Sequence, residues 1–311
     1  MKDFFDVPQI IEEARQSAIA KAKPGKKPGL NWALIALISI VLAFFTELAT
    51  LFVYVPGYLI LKVLNLKTPT TDTAISLYST VVITVLFVLY ARFVEKRPIR
   101  TIGFVKKGAV INYLLGVALG AGLFSLIVLF CVLTGSLKLT LSGSINFGTI
   151  LFCFGGWLFQ GLEEEVMCRG FMMVSLTRRY SIPFGIIFNS LFFACLHLLN
   201  PGMSVLPFIN IFLFGVLASL MFIKTGSIWM CAATHSIWNF VQGNVFGIKV
   251  SGNDLIDTVF AGDMISGKEI LNGGDFGLEG GLVTSIVLII AIVVFIFLPS
   301  KITDRTRTVN E

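Results

Sequence analysis

The chain has 311 residues, of which 56% are hydrophobic and only 14% are charged. A soluble domain carries about 25% charged residues, so this composition excludes an ordinary soluble protein and indicates one that crosses a membrane several times. The net charge of +6 does not indicate a nucleic-acid partner, because the basic residues cluster beside apolar segments, where topology and anionic lipid headgroups explain them.

Residues 1–31 combine charges of both signs with a basic run, and we expect them to form a cytoplasmic tail. A short helix is predicted to begin near Pro8, since proline is tolerated in the first turn of a helix. The segment lacks the apolar core and small-residue cleavage site of a secretory signal peptide.

Eight apolar segments follow, each close to or above the roughly 20 residues that a helix needs to cross a bilayer. We therefore predict an all-α polytopic membrane protein, with about eight transmembrane helices in one bundle over residues 32–299 and a cytoplasmic tail at 300–311. The fourth segment is too long for one crossing, so we expect a break at Gly155 and Gly156 or a projection beyond the membrane. The predicted spans are 32–54, 74–92, 111–133, 147–177, 182–199, 204–223, 226–246 and 281–299.

Lysine and arginine placement indicates the orientation of these spans. If the N-terminus is inside, the cytoplasmic segments hold 19 of the 24 lysines and arginines. Cytoplasmic loops carry an excess of these residues, so both termini are expected in the cytoplasm. We expect the membrane to be that of a prokaryotic cell.

Residues 161–243 stand out because strongly polar side chains interrupt otherwise apolar spans there. A charged residue at the centre of a bilayer costs about 2.5–3.5 kcal/mol on insertion scales, so several together indicate a partner, a water-filled cavity or a function. Both histidines of the chain belong to this group. Its members are Glu163, Glu164, Glu165, Arg169, His197, His235 and Asn239.

Helical spacing predicts how the first of these side chains meet. Glu165 precedes Arg169 by four residues, which is the favourable order for an ion pair on one helix face, and Glu164 is turned about 100° away from that face. Glu164 and His197 are equally distant from a turn near residue 180, so an antiparallel hairpin is expected to place a carboxylate opposite an imidazole.

The other two polar residues, His235 and Asn239, are four apart and share one helix face. His235 lies about 10 residues, or about 15 Å, beyond Thr225 at the expected cytoplasmic edge, so it is predicted near the bilayer midplane. Glu164 and His197 reach this depth only if the turn between their helices projects roughly 10 Å into the cytoplasm.

Three short motifs stand in order within this region: Glu164-Glu165-Val-Met-Cys-Arg169, Phe193-Ala-Cys-Leu-His197 and His235-Ser-Ile-Trp-Asn239. This set resembles the EExxxR, FxxxH and HxxxN motifs of the CAAX-processing and bacteriocin-immunity-associated intramembrane endopeptidases, called CPBP or Abi proteins. The motifs cover about a quarter of the chain. The adjoining Glu163 leaves the register of the first motif open until the partner of Arg169 is known.

The resemblance implies an endopeptidase that hydrolyses a peptide bond of a membrane-associated protein or peptide inside a water-accessible cavity, as CAAX prenyl proteases do. By motif, Glu164 and His197 would activate water, and His235 and Asn239 would stabilise the oxyanion. Glu165 and Arg169 would then be a supporting pair that positions helices.

Two alternatives stay open at this point. The family is often described as metalloproteases, and Glu164, His197 and His235 would be the zinc ligands; because the HExxH spacing is absent, we expect no metal cofactor. A non-enzymatic bacteriocin-immunity protein or a proton-coupled transporter would also use a polar cavity in the membrane.

Overall fold

The structure, a computed structural model, describes residues 7–22, 27–254 and 257–298. The described chain is mainly helical and contains one two-stranded sheet. Four helices are long and apolar enough to cross a membrane, and Ile182–Leu196 and Leu282–Phe297 are shorter apolar helices. The prediction of an all-α polytopic fold is confirmed. The four long helices are Trp32–Val63, Pro69–Val94, Ala109–Leu133 and Val205–Thr225.

The elements are labelled in chain order. They are α1 (Gln9–Ile19), α2 (Trp32–Val63), α3 (Pro69–Ser79), α4 (Val81–Leu89), α5 (Ala109–Leu133), β1 (Leu137–Leu141), α6 (Phe147–Glu165), α7 (Val174–Thr177), α8 (Ile182–Leu196), α9 (Val205–Thr225), α10 (Trp229–Phe240), β2 (Phe260–Met264), α11 (Glu269–Asn272) and α12 (Leu282–Phe297). Wide π-helical turns extend α4 over Tyr90–Val94, α6 over Val166–Met173 and α10 over Val241–Val245.

The fourth predicted span contains no break at its glycine pair, so that alternative is wrong, and a projection beyond the membrane stays a prediction. α6 runs through Gly155 and Gly156 without interruption, and both glycines face α3. A Cβ on Gly155 would collide with the Tyr78 hydroxyl, and one on Gly156 would lie 2.8 Å from Leu77 Cβ. The helix leaves regular α geometry further on, at Val166–Met173. The two glycines therefore allow α6 and α3 to pack closely, and they do not form a joint in α6.

Helix α10 lies at the centre of the bundle, packed against α5, α6 and α9. Small residues make this possible: a Cβ on Gly116 or Gly120 of α5, or on Gly161 of α6, would collide with α10. Small residues at helix interfaces let backbones approach closely in membranes. The polar face of α10, with His235 and Asn239, is consequently held inside the protein, where both residues are buried.

Helix α1 covers the end of the bundle that contains the turn between α7 and α8. Ile11 and Ala14 are buried there, and Arg15 Nε donates to the Thr177 carbonyl at 2.9 Å. The helix predicted near Pro8 is confirmed, with Pro8 as its N-cap residue. This part of the amino-terminal segment is thus docked on the bundle.

The opposite end of the bundle is covered by a folded loop region, the loop cap, made of residues 137–141, 246–254 and 257–281. Its strands β1 and β2 pair in antiparallel register. Glu279 anchors it to α10: Glu279 Oε2 accepts hydrogen bonds from the Ser251 backbone N–H at 2.8 Å and hydroxyl at 2.9 Å, and Glu279 Oε1 accepts one from Trp238 Nε1 at 3.1 Å.

Candidate active site

Arg169 and Glu165 form an ion pair in the interior of the bundle. Arg169 Nη1 lies 2.8 Å from Glu165 Oε1, and both side chains are fully buried. The guanidinium also donates from Nη2 to the Gly215 carbonyl at 3.1 Å and lies 4.7 Å from the centroid of the Phe193 ring. The pair fixes the register of the first motif, whose two glutamates are Glu164 and Glu165.

His235 is held between these two neighbouring glutamates. Its Nδ1 lies 2.9 Å from Glu165 Oε1, so the ring donates its Nδ1 proton to this carboxylate. Its Nε2 lies 3.4 Å from Glu164 Oε2. Phe214 and Phe193 meet the imidazole edge to face, with centroids 5.0 Å and 5.9 Å away. These contacts fix the orientation of the ring.

His197 directly follows the last residue of α8. Its Nδ1 lies 2.9 Å from the Phe193 carbonyl oxygen, and the two rings are in edge-to-face contact at 4.8 Å. Because the carbonyl accepts the Nδ1 proton, Nε2 is the nitrogen left to bind another group. The FxxxH motif thus forms one helical turn whose first residue orients the imidazole of its last.

Asn239 has a partner that the sequence reasoning did not identify. Its Nδ2 donates to Gln160 Oε1 at 3.0 Å, which uses one of the two N–H donors of the amide. Gln160 precedes Glu164 by four residues on α6, so both belong to one face of that helix. This spacing was the signal that could have revealed Gln160.

The polar residues line one cavity of about 430 Å³. Its wall includes Glu164, His197, His235 and Asn239, so the structure brings together the four residues proposed for catalysis, from three helices. Glu165 and Arg169 are not among the residues that line it. Glu164 Oε2 is buried and accepts no hydrogen bond from any described residue. A buried oxygen without a donor is rare and calls for a functional explanation or a bound water.

The hairpin was expected to place Glu164 opposite His197, and both side chains line the same cavity. Among the described residues no hydrogen bond joins the two, and Glu164 Oε2 lies 3.4 Å from Nε2 of the other histidine, His235. The reason lies in the packing: α8 rests on α9 and on the Val166–Met173 segment, whereas α10 lies along α6. The imidazole beside Glu164 consequently comes from α10, and His197 faces the same cavity from another side.

The loop cap and α3 complete the wall of the cavity on the side opposite the α7–α8 turn. This contribution was missed because the region from 247 to 280 reads as a solvated, glycine-rich loop. Acidic residues within these glycine-rich turns, such as Asp254 and Glu279, were the available signal. The wall residues on this side include Thr73, Ser76, Asn200, Ser251, Asn253, Asp254 and Glu279.

The same geometry bears on the zinc alternative. Within the described ranges, no three or more histidine, cysteine, aspartate or glutamate side chains are grouped so that they could hold a metal ion. His235 directs both ring nitrogens at carboxylates, and His197 has its Nδ1 on a backbone carbonyl. Histidines that bind zinc through Nε2 commonly hold Nδ1 on a partner of this kind, so these contacts do not decide the question, and the absence of a metal stays a prediction.

The fold and the cavity define a class of protein: a polytopic helical membrane protein with carboxylate, imidazole and amide groups in a buried polar site. Residues 146–241 match the family model described as Type II CAAX prenyl endopeptidase Rce1-like. The match spans about a third of the chain, contains all three motifs and confirms the resemblance. It supports a CAAX-type intramembrane endopeptidase in general terms. No curated protein and no solved structure matched the chain.

Proposed function

We propose that this protein is an intramembrane endopeptidase that hydrolyses a peptide bond of a membrane-associated protein or peptide. The cavity carries the proposal, because four motif residues from three helices line it and Glu164 Oε2 is open to accept a hydrogen bond. A carboxylate with a free acceptor in a polar cavity is suited to act as a general base.

In this proposal Glu164 and His197 activate the attacking water. The water donates a proton to Glu164, and His197 Nε2 orients the water, since His197 Nδ1 is held by the Phe193 carbonyl. The water oxygen attacks the carbonyl carbon of the peptide bond. Glu164 then returns the proton to the amide nitrogen, and the C–N bond breaks, which leaves a carboxyl group and an amine.

His235 and Asn239 are proposed to stabilise the oxyanion that forms on the substrate carbonyl. Asn239 has one N–H donor engaged by Gln160 and a second one available. His235 is fixed through Nδ1 by Glu165, which in turn is fixed by Arg169, and it donates to the oxyanion from Nε2 in the imidazolium form, in which both ring nitrogens carry a proton. The loss of one oxyanion-hole donor costs about 2.7–4 kcal/mol of transition-state stabilisation, so donors that are already positioned account for a large part of the rate.

The test is a comparison of Glu164→Gln with Glu163→Gln. Glu163 is buried on the same helix but does not line the cavity, so it is a matched control. Membrane proteomics of cells that carry each variant should show an uncleaved protein that accumulates only with Glu164→Gln, and purified Glu164→Gln should not cleave it. Full activity of purified Glu164→Gln or His197→Ala would refute the assignment.

The same variants separate the rival functions. A proton-coupled transporter with Glu164→Gln should keep moving its substrate with an altered pH dependence. A non-enzymatic immunity protein should retain its phenotype in Glu164→Ala and His197→Ala.

We further propose that catalysis needs no metal, because the HExxH spacing is absent and Glu164 can itself accept the proton of the attacking water. The cleavage activity of the purified protein should survive treatment with EDTA. Loss of activity on chelation, with recovery on addition of zinc, would contradict the metal-independent mechanism.

A further inference from the structure

The residues that line the cavity show at which end of the bundle it opens. Besides the catalytic set, the wall is built from residues of α3, α6, α9, α10 and α12 and from the loop cap. Asp254 belongs to this wall, and its side chain is 76% exposed. The mouth of the cavity therefore lies beside the loop cap.

The other end of the bundle is closed by packed side chains. Every residue from 166 to 177, which follows Glu164 and Glu165 along the chain, is buried. Arg97 is fully buried beside this segment, where its Nη2 donates to the Gly170 carbonyl at 3.3 Å and its Nε lies 2.6 Å from Glu95 Oε2. A charged side chain is buried in this way only when it is paired. Residues 166–177 thus form a closely packed layer behind Glu164, called the sealed layer.

The closed end is also the basic end. Lys21 Nζ donates to the backbone carbonyls of Glu95 and Lys96, and Arg178 Nη1 lies 3.3 Å from Glu95 Oε2. These contacts bring the amino-terminal segment, the 92–107 loop and the α7–α8 turn to one face. Burial and the neighbouring charges of Arg178 and Lys96 lower the pKa of the Lys21 ammonium. Segments rich in lysine and arginine mark the cytoplasmic side of a membrane protein.

We propose that the cavity opens to the non-cytoplasmic side of the membrane and that its substrate is a polypeptide segment presented from that side. That the cavity takes a substrate rests on the proposed function. The direction in which it opens rests only on the two ends of the bundle. A polypeptide tethered at the cytoplasmic surface would meet the closed end, and about 20 Å of helix separates Glu164 from the α7–α8 turn.

The charges of the cavity narrow the class of substrate. Its wall carries the carboxylates Glu164, Asp254 and Glu279, and no lysine or arginine is found among the described residues that line it. Lys249 Nζ lies 3.8 Å from Asp254 Oδ2 and offsets part of the charge at the mouth. A field of one sign attracts the opposite charge and repels its own. A neutral or cationic internal segment is therefore preferred over one with a carboxylate close to the cleaved bond.

Cysteine labelling in intact cells tests the direction of opening. Asp254→Cys reports the mouth, and Lys106→Cys reports the closed end, where Lys106 is exposed. Both are made in a Cys195→Ala background, because Cys195 is exposed and the other four cysteines are buried. A membrane-impermeant maleimide should modify Asp254→Cys in intact cells and Lys106→Cys only after the cells are permeabilised.

Labelling of Lys106→Cys in intact cells, or protection of Asp254→Cys until permeabilisation, would overturn the proposal. The outcome does not depend on cleavage, so the two proposals fail separately. If Glu164→Gln abolishes cleavage while the labelling pattern is reversed, the enzyme assignment stands and the direction of opening is wrong. If the labelling is as expected while Glu164→Gln cleaves normally, the direction stands and the enzyme assignment falls.

Discussion

At the scale of single residues, Arg169 links the parts of the candidate site. Its guanidinium bonds to Glu165 and to the Gly215 carbonyl of α9 while it covers the Phe193 ring. Glu165 Oε1 in turn lies 2.9 Å from His235 Nδ1 and holds the imidazole in place. The arginine is thus a positioning residue, since it does not line the cavity but fixes the side chain that does.

We expect Arg169→Ala to destabilise the protein strongly, because removal of one partner of a buried ion pair typically costs about 3–5 kcal/mol. The double variant Glu165→Gln with Arg169→Leu removes both charges and should recover much of the unfolding temperature. It should not recover cleavage, because His235 loses its carboxylate acceptor. Thermal unfolding and turnover measured on the same samples separate the two effects.

A double variant that is as unstable as Arg169→Ala would show that the guanidinium contributes through its contacts with Gly215 and Phe193 rather than through charge compensation. A double variant with full turnover would show that His235 needs no support from Glu165.

At the scale of elements, the position of α10 depends on how closely α5 approaches it. A Cβ on Gly116 would collide with the Met230 carbonyl oxygen, and one on Gly120 with the Thr234 carbonyl oxygen, whereas a Cβ on Gly122 would meet no atom within 4 Å. Backbone atoms of a central helix cannot rotate away as a side-chain end can. The three glycines of α5 are therefore not equivalent.

We expect Gly116→Ala and Gly120→Ala each to cost about 1–3 kcal/mol, the usual range for overpacking, and to reduce turnover by shifting His235 and Asn239. Gly122→Ala, the matched control on the same helix, should leave the unfolding temperature and turnover unchanged. Equal effects of all three substitutions would show that the α5–α10 interface is looser than the structure has it.

The elements also show which features were predictable. Hydrophobic length placed all eight helical segments, because a span of about 20 apolar residues is a local property. The glycine pair in α6 was misread, since a glycine in a helix signals either flexibility or close packing, and only the neighbouring Tyr78 and Leu77 decide between them. The shape of the loop cap depends on contacts such as Glu279 with Ser251, which are distant in sequence.

The candidate site was predictable to a similar degree. The Glu165–Arg169 pair follows from helical spacing, so it appeared in the sequence and in the structure alike. The choice between His197 and His235 as the neighbour of Glu164 depends on how α8 and α10 pack, which no local spacing encodes. The depth of these residues in a bilayer stays a prediction.

At the scale of the whole molecule, the two ends of the bundle differ in construction. One end has a polar cavity beside the loop cap, and the other has a buried layer from residue 166 to residue 177 with α1 docked over it. Behind Glu164 lie the buried guanidinium of Arg169 and the apolar core. We therefore expect the cavity to be a dead end for water.

A dead-end cavity has a consequence for the energetics of the host membrane. A proton would have to pass a buried positive charge and a tightly packed layer to cross the protein, so the electrochemical gradient should be preserved. Proteoliposomes loaded with a pH-sensitive dye should hold an imposed pH difference as long as protein-free liposomes do. A leak that Glu164→Gln abolishes would instead indicate proton coupling. With the sealed layer in place, we expect water in the cavity to leave the gradient of an energised membrane intact.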